Sequence, residues 1–337
     1  MNKPIILIIT DNLPDQVNGV VTTFHNIERL ALTQGYAVAW ITPVNFAHVA
    51  SPGYPEVKLS LPWGIGDLIQ DIDPDYIHIA TEGPVGLAAN LWCWRHNWRF
   101  NTSYHTRFPE FLKKIYGVPE WITYRYLRWF HNHSGRVLTT TTTMVEELQA
   151  HGFRRDVLPW TRGVDRDLLK PTQSHRFYFF GTRPVVLYVG RVSKEKGLDD
   201  LCRLQDQYHV QIVGDGPYRA QLERRYPRVE FRGYLSGSDL ANAYTQADVF
   251  AFPSCSDTFG IVIIESITLG TPVAAYLVPG PQDIIEQGVT GYMGPDLDQN
   301  IRQCLKLNRD KVAQASSQWT WQRCWEIFRD NLVPAHD

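Results

Sequence analysis

The sequence predicts an α/β protein of two doubly wound domains, each a mostly parallel sheet covered by helices on both faces. Three observations predict it. The chain has 337 residues, too many for one core of ordinary size and enough for two. Short apolar runs alternate with stretches of helical period, which is the pattern of strands buried on both faces and joined by crossover helices. The alternation is interrupted once, over Leu158–His175, where Pro159, Gly163 and Pro171 fall in a stretch of weak periodicity.

In the first half, Ile5–Ile9, Ala37–Ile41, Tyr76–Ile79 and Val137–Thr140 read as strands. Val21–Thr33 and Val85–Trp94 read as amphipathic helices between them. After the interruption the pattern restarts with Val185–Val189, Val210–Val213, Val249–Phe252 and Val273–Ala275. The expected domains are 1–160 and 175–315, with 316–337 a terminal helix returning to the first domain. Tandem doubly wound domains face each other across a cleft, and ligands of such sheets bind beyond the carboxyl ends of the strands.

Composition narrows the class. Apolar residues make up 44% and charged residues 20%, so the chain buries proper cores and is not disordered. A formal net charge of −2 gives no support to a nucleic-acid partner. The five cysteines are odd in number, widely spaced and never paired as Cys-x-x-Cys. That argues against a disulfide framework or structural zinc and for a cytoplasmic setting. The opening Ile5–Ile9 run is short and lacks a cleavage pattern, so it reads as a buried strand rather than a signal peptide. No run approaches the roughly 20 apolar residues of a membrane span, so any contact with the inner face of the membrane is expected to be peripheral.

The candidate chemistry lies in loops that follow strands. The first strand runs into a loop holding Asn18 and Gly19 before a helix. Glycine lets backbone approach a ligand, and the helix start offers amides to an anion; a plain βα turn is the alternative. The corresponding loop of the second half carries Arg191 and Lys196, two cations suited to a diphosphate whose charge grows as it departs, or else a solvated charged loop. Gly214 sits in the tight turn Val213-Gly214-Asp215-Gly216.

The strongest segment is Asp257-Thr258-Phe259-Gly260-Ile261 running on to Glu265. Its helix-start amides suit phosphate oxygens, and two acceptors eight residues apart suit the hydroxyls on either side. Glu265 lies in an otherwise apolar helix and needs a hydroxyl or cation partner there. The plainer reading makes Asp257 a helix cap and Glu265 a surface residue. In the first half, His105 ends Asn101-Thr102-Ser103-Tyr104-His105, and Glu82 lies in Thr81-Glu82-Gly83-Pro84. A structural histidine and a solvated carboxylate are the alternatives. Asp71-Ile72-Asp73-Pro74 reads as a turn rather than a metal ligand set.

These segments together resemble the retaining glycosyltransferases of family 4, with the two-domain architecture called GT-B. The resemblance runs over nearly the whole chain and is strongest at Tyr188–Gly197, Val213–Pro217 and Phe252–Pro272. Asp257 and Glu265 match the family's E-x7-E element with Asp in place of the first Glu, a departure shared with a branch resembling bacterial lipid-directed hexosyl- and mannosyltransferases. The resemblance implies that Asp257 and the amides of Thr258–Ile261 hold the donor sugar and that Glu265 holds the ribose. It implies that Arg191 and Lys196 hold the diphosphate with Gly19, and that His105 lies near the reacting carbon. Asn18, Glu82 and His105 would serve the acceptor.

The implied activity is retaining transfer of a hexose from UDP-glucose, UDP-glucuronate or GDP-mannose to a lipid or glycan, without cofactor or bound metal. A nucleotide-sugar epimerase on the same fold, a mannosyltransferase acting on a non-lipid glycan and a non-catalytic nucleotide-sugar binder are the rivals. Finally, Lys113, Lys114, Trp121, Tyr124, Arg125, Arg128, Trp129 and Phe130, with Trp92, Trp94, Arg95, Trp98 and Arg99, form an aromatic and basic set. It reads either as a membrane-facing surface or as core aromatics beside solvated cations.

Overall fold

The computed structural model describes residues 3–16, 18–51, 54–172, 183–255 and 257–336, with the side chains at 48, 50–51, 54–59, 111 and 114–116 outside the description. Val17, Ser256 and the expected domain start at 175 lie outside the described residues. The chain forms two compact units, Met1–Arg162 with Trp321–Asp337, and Gly163–Thr320.

The first unit contains β1 (Ile5–Ile9), β2 (Ala37–Ile41), β3 (His48–Ser51), β4 (Tyr54–Ser60), β5 (Tyr76–Ile79), β6 (Asn101–Tyr104), β7 (Arg136–Thr139) and β8 (Asp156–Pro159). Six of these form one parallel sheet in the order β2-β1-β5-β6-β7-β8, while β3 and β4 make a separate antiparallel pair. Its helices are α1 (Gly19–Thr33), α2 (Ile65–Ile72), α3 (Pro84–His96), α4 (Phe108–Tyr116), α5 (Glu120–His131) and α6 (Thr142–Ala150).

The second unit contains β9 (Val185–Val189), β10 (His209–Val213), β11 (Glu230–Gly233), β12 (Val249–Phe252), β13 (Val273–Ala275) and β14 (Gly291–Met293), parallel in the order β11-β10-β9-β12-β13-β14. Its helices are α7 (Leu198–Cys202), α8 (Arg219–Arg225), α9 (Gly237–Gln246), α10 (Ile261–Thr268), α11 (Pro281–Ile284), α12 (Leu297–Cys304) and α13 (Arg309–Gln314). The last helix, α14 (Trp321–Asp330), belongs to the first unit.

The strands form where they do because both sheet faces are covered. Ile6 to Ile9 have no exposed surface, and Val186 and Leu187 of β9 have none either. A run of branched apolar residues satisfies both faces at once. In each unit the first strand is central: β1 lies between β2 and β5, and β9 between β10 and β12. The chain reverses direction across the sheet at those strands, so the loops after β1 and β9 stand at the switch points where such folds bind ligands.

Return of the chain end completes the first unit. Phe328 of α14 packs against Phe24 and Trp160, at 6.1 and 5.2 Å between ring centroids. Trp160 Nε1 donates to the Cys324 carbonyl at 2.9 Å, and Ala335 N donates to Asp75 O at 2.8 Å. Asn101 of β6 clasps the same segment, donating to Asn331 O and accepting from Val333 N.

Candidate functional site

In the second unit, the loops after β9 and β12 meet because those strands are neighbours. Gly197 ends the short helical turn Lys194–Lys196 at φ +68°, and a Cβ there would sit 2.8 Å from the Pro253 carbonyl oxygen. Only glycine combines that backbone conformation with that approach. Gly214 is equally constrained: its φ is +123° and a Cβ would lie 2.0 Å from Gly190 O. It brings the turn after β10 against the loop after β9.

This close fit places Lys196 Nζ 2.6 Å from Asp257 Oδ1, with both side chains about one quarter exposed (21% and 26%). Burial pushes the Asp257 carboxyl up, but the Lys196 charge and hydrogen bond, with Ser254, outweigh it and hold the group below the usual carboxylate range. The second oxygen, Oδ2, is buried with no hydrogen-bond partner among the described residues. A buried acceptor left open is costly unless a ligand donates to it. Asp257 is not a helix cap: α10 begins after Gly260, and among the described residues no side-chain cap bond is made to it. Its first amides and its positive end remain available to an anion.

The Thr258 and Phe259 side chains are buried, Phe259 within the core, so these two residues reach a ligand only through backbone. Ile261, the first residue of α10, is half-buried. Arg191 is exposed on the loop after β9, and its carbonyl accepts from the Tyr188 hydroxyl at 3.0 Å. Glu265 has the hydroxyl partner its position requires: Tyr244 of α9 donates to Oε2 at 2.9 Å. Burial still leaves the Glu265 carboxyl raised. Glu265 is half-buried rather than a surface residue. Tyr244 carries no sequence signal, lying 21 residues upstream on another helix.

Two helix starts of the first unit, those of α1 and α3, are treated differently. The expectation of free amides at the start of α1 is corrected: Asn18 caps the helix, its Oδ1 accepting from Val20 N and Val21 N at 3.0 and 2.9 Å. Gly19 is the first helical residue. The start of α3 is also filled. Asp11 accepts from Val85 N, Gly86 N and the Thr81 hydroxyl. Burial raises its carboxyl in spite of those bonds.

Glu82 is buried, which corrects the solvated-loop alternative. Its Oε1 lies 3.1 Å from His131 Nε2. Ser134 donates to the His131 carbonyl and Thr102 donates to Ser134, so His131 Nδ1 must donate to Thr102, at 2.9 Å. His105 also sits in a chain of polar contacts. Its Nε2 is 2.8 Å from Ser103 Oγ, its Nδ1 is 2.9 Å from an Arg162 amino group, and Ser103 Oγ is 2.9 Å from His78 Nε2. Successive side chains of β6 point to opposite faces, so Thr102 serves one chain and Ser103 the other. Burial pushes His78 down to about 3, helped by Arg162. Burial, again with Arg162, holds His105 well below the usual histidine range. Asp71 lies in the last turn of α2 and Asp73 caps it at φ +45°, a helix end rather than a free turn.

The aromatic and basic set divides. Tyr124 and Phe130 are core, and Trp92 and Trp98 are half-buried. Trp121, Ile122, Arg125, Arg128 and Trp129 are exposed and share one face of α5. His133 joins Trp129 to exposed Trp94, its ring 4.7 and 5.3 Å from theirs. Lys113 is exposed but paired with Glu120 at 2.9 Å; the Lys114 side chain lies outside the described residues. Among the described residues no helix is long and apolar enough to cross a membrane.

Comparison with known proteins gives the setting for this geometry. The family model Glycosyltransferase Family 4 matches residues 17–168, and Glycosyl transferases group 1 matches residues 183–310. The chain is 29% identical to a GDP-mannose-dependent alpha-mannosyltransferase of Mycobacterium tuberculosis, over 97% of this chain and 95% of the relative. Sucrose-phosphate synthase from Thermosynechococcus elongatus aligns with a TM-score of 0.77 at 18% identity, covering 97% of this chain and 98% of the other. Anabaena HepE in complex with UDP aligns at 0.70 and 17% identity, covering 97% and 98%.

Proposed function

The chain belongs to the family 4, group 1 glycosyltransferases and has their GT-B fold, and on that premise we propose that it transfers mannose from GDP-mannose to a lipid-linked acceptor with retention at the anomeric carbon. The observation that carries the reading is the Lys196–Asp257 pair beside the uncapped start of α10. One cation, the amides at the start of α10 and a buried carboxylate oxygen with no partner among the described residues form a receptor for a phosphorylated polyol. The names of relatives such as the mycobacterial mannosyltransferase favour mannose and guanosine over the UDP sugars.

In this reading α10 and Lys196 hold the diphosphate, with Arg191 at its exposed side. Asp257 Oδ2 accepts a sugar hydroxyl, and Glu265, steadied by Tyr244, accepts from the ribose. The bond from C1 to the diphosphate oxygen breaks and the bond from C1 to the acceptor oxygen forms on the same face. The acceptor's proton passes to the departing diphosphate, and the cations stabilise the charge that develops there. His105 and Glu82 are assigned to the sugar and acceptor side. The exposed face of α5, with two tryptophans, an isoleucine and two arginines, supports an acceptor held at an anionic membrane. Each arginine near such a surface contributes about 1 kcal/mol.

A donor panel tests the reading. GDP-mannose at a hundred times its Kd should stabilise the protein by about 2.7 kcal/mol, and UDP-glucose and UDP-glucuronate should not. A shift with a UDP sugar alone overturns the donor. Epimerised donor in the absence of acceptor, or binding with neither transfer nor hydrolysis, overturns the transferase mechanism. Arg125→Glu with Arg128→Glu should abolish binding to anionic vesicles; unchanged binding removes the membrane from the proposal.

A further inference from the structure

We propose that Arg162 is a positioning residue that locks His105 as a neutral ring protonated at Nε2, so that His105 presents a fixed dipole and does not shuttle protons. The proposal starts from hydrogen-bond inventory. A guanidinium has donors only, so the 2.9 Å contact between the Arg162 amino group and His105 Nδ1 requires a lone pair on Nδ1. The ring proton then sits on Nε2 and points at Ser103 Oγ, 2.8 Å away. Both ring nitrogens are thereby oriented by the protein. A base would need a free lone pair, and the one His105 has is directed at a cation.

The surroundings of the arginine, Cys324 among them, hold it in place for that contact. Its residue is 3% exposed, and among the described residues no carboxylate lies within ion-pairing distance of it. A buried cation without a counter-ion is costly and persists where something else depends on it. Its other amino group donates to the carbonyls of Trp160 and Thr161 at 2.7 and 2.9 Å, and the guanidinium lies 4.3 Å over the Trp160 ring. Those contacts fix the fork and leave one amino group for His105. Phe24 and Trp160 wall the imidazole, at 5.9 and 5.8 Å between centroids. The other ionisable groups facing the ring are His78, across Ser103, and His131. Burial lowers Arg162 to about 10, so it stays charged at neutral pH, and its charge adds to burial in keeping His105 neutral.

The proposal rests on the assignment of His105 to the sugar side, and the two can be separated. Long-range 1H–15N spectra of histidine-labelled protein report each ring's tautomer, with His105→Gln identifying the signal. The expected result is His105 protonated at Nε2 in the unaltered protein; a ring protonated at Nδ1, or at both nitrogens, overturns the proposal without any variant having to fold. Arg162→Met should release the tautomer and lower kcat about 10²-fold with donor KM little changed, while Arg162→Lys restores the Nε2 tautomer and most of kcat. In a His105→Ala background, Arg162→Met should cost nothing further in kcat; an undiminished loss there overturns the link. If His105→Ala alone leaves kcat intact while the tautomer is as expected, the assignment of His105 fails and the lock stands.

Discussion

The starts of α3 and α10 occupy corresponding places in the two units, each after the strand beside the central one (β5 beside β1, β12 beside β9), yet they are finished in opposite ways. In the first unit Asn18 takes the amides of α1 with its own side chain, and Asp11 does the same for α3. In the second unit, among the described residues, α10 begins without a side-chain cap and one buried oxygen of Asp257 has no partner, and Glu265 keeps a raised carboxyl. At these particular helix starts the first unit satisfies the amides with its own side chains, and on the proposed reading the second leaves them to the donor. On the proposed reading, the same strand-loop-helix plan yields a self-satisfied helix start in one half and a donor receptor in the other. The difference lies in which side chains are brought to each helix start, not in the fold.

Four substitutions break or sharpen that contrast. Lys196→Ala should lower turnover about 10²–10³-fold, because it removes a charge aimed at the leaving group. Loss of stability with turnover intact would make the Lys196–Asp257 pair as structural as anything in the first unit. Asp11→Ala should cost about 2 kcal/mol of stability, read as a fall in Tm, with donor affinity unchanged. A weaker donor in that variant would give the first unit a part in donor binding. Asn18→Ala should behave alike at about 1 kcal/mol.

The smallest effect on stability is expected from Glu265→Gln, and its sign is opposite. Burial raises the folded pKa of Glu265 above its ordinary 4.5, so ionisation costs more in the folded chain. The associated stability is present below the unfolded pKa and is lost as pH rises through the folded value. Glutamine does not ionise, so the variant should melt about 1–3 °C higher at pH 8, with the gap closing toward pH 4, while binding donor about tenfold more weakly. A variant less stable than the parent at pH 8 would show that Glu265 is a structural acceptor for Tyr244 rather than a ligand group.

The central strands were legible because a strand buried on both faces writes itself as an apolar run, as Ile5–Ile9 and Val185–Val189 do. Strand β6 was legible only through the resemblance, as the segment before His105, since Asn101, Thr102 and Ser103 are polar yet buried; each has a partner far along the chain, Asn331, His131 and His78. Asp257, Glu265 and Lys196 were legible as types at a spacing, but their pairing was not. Nothing local says that Lys196 meets Asp257 or that Tyr244 meets Glu265. Arg162 was hidden most completely. It falls in the interruption at Leu158–His175, where an arginine in a weakly periodic stretch reads as solvated. Its burial follows from Trp160 and the returning α14, contacts that close only in three dimensions.

The return of α14 also fixes the order in which the protein is completed. Residues 163–320 form the second unit as one uninterrupted stretch, whereas the first unit needs residues 321–337 before Asn101, Trp160 and Phe24 gain their last neighbours. On the ribosome the half made first should therefore be the half that matures last. Arrested chains ending near residue 320 are expected to hold a protease-resistant second unit and a still-cleavable first one. Equal resistance of the two would show that the closing helix is dispensable.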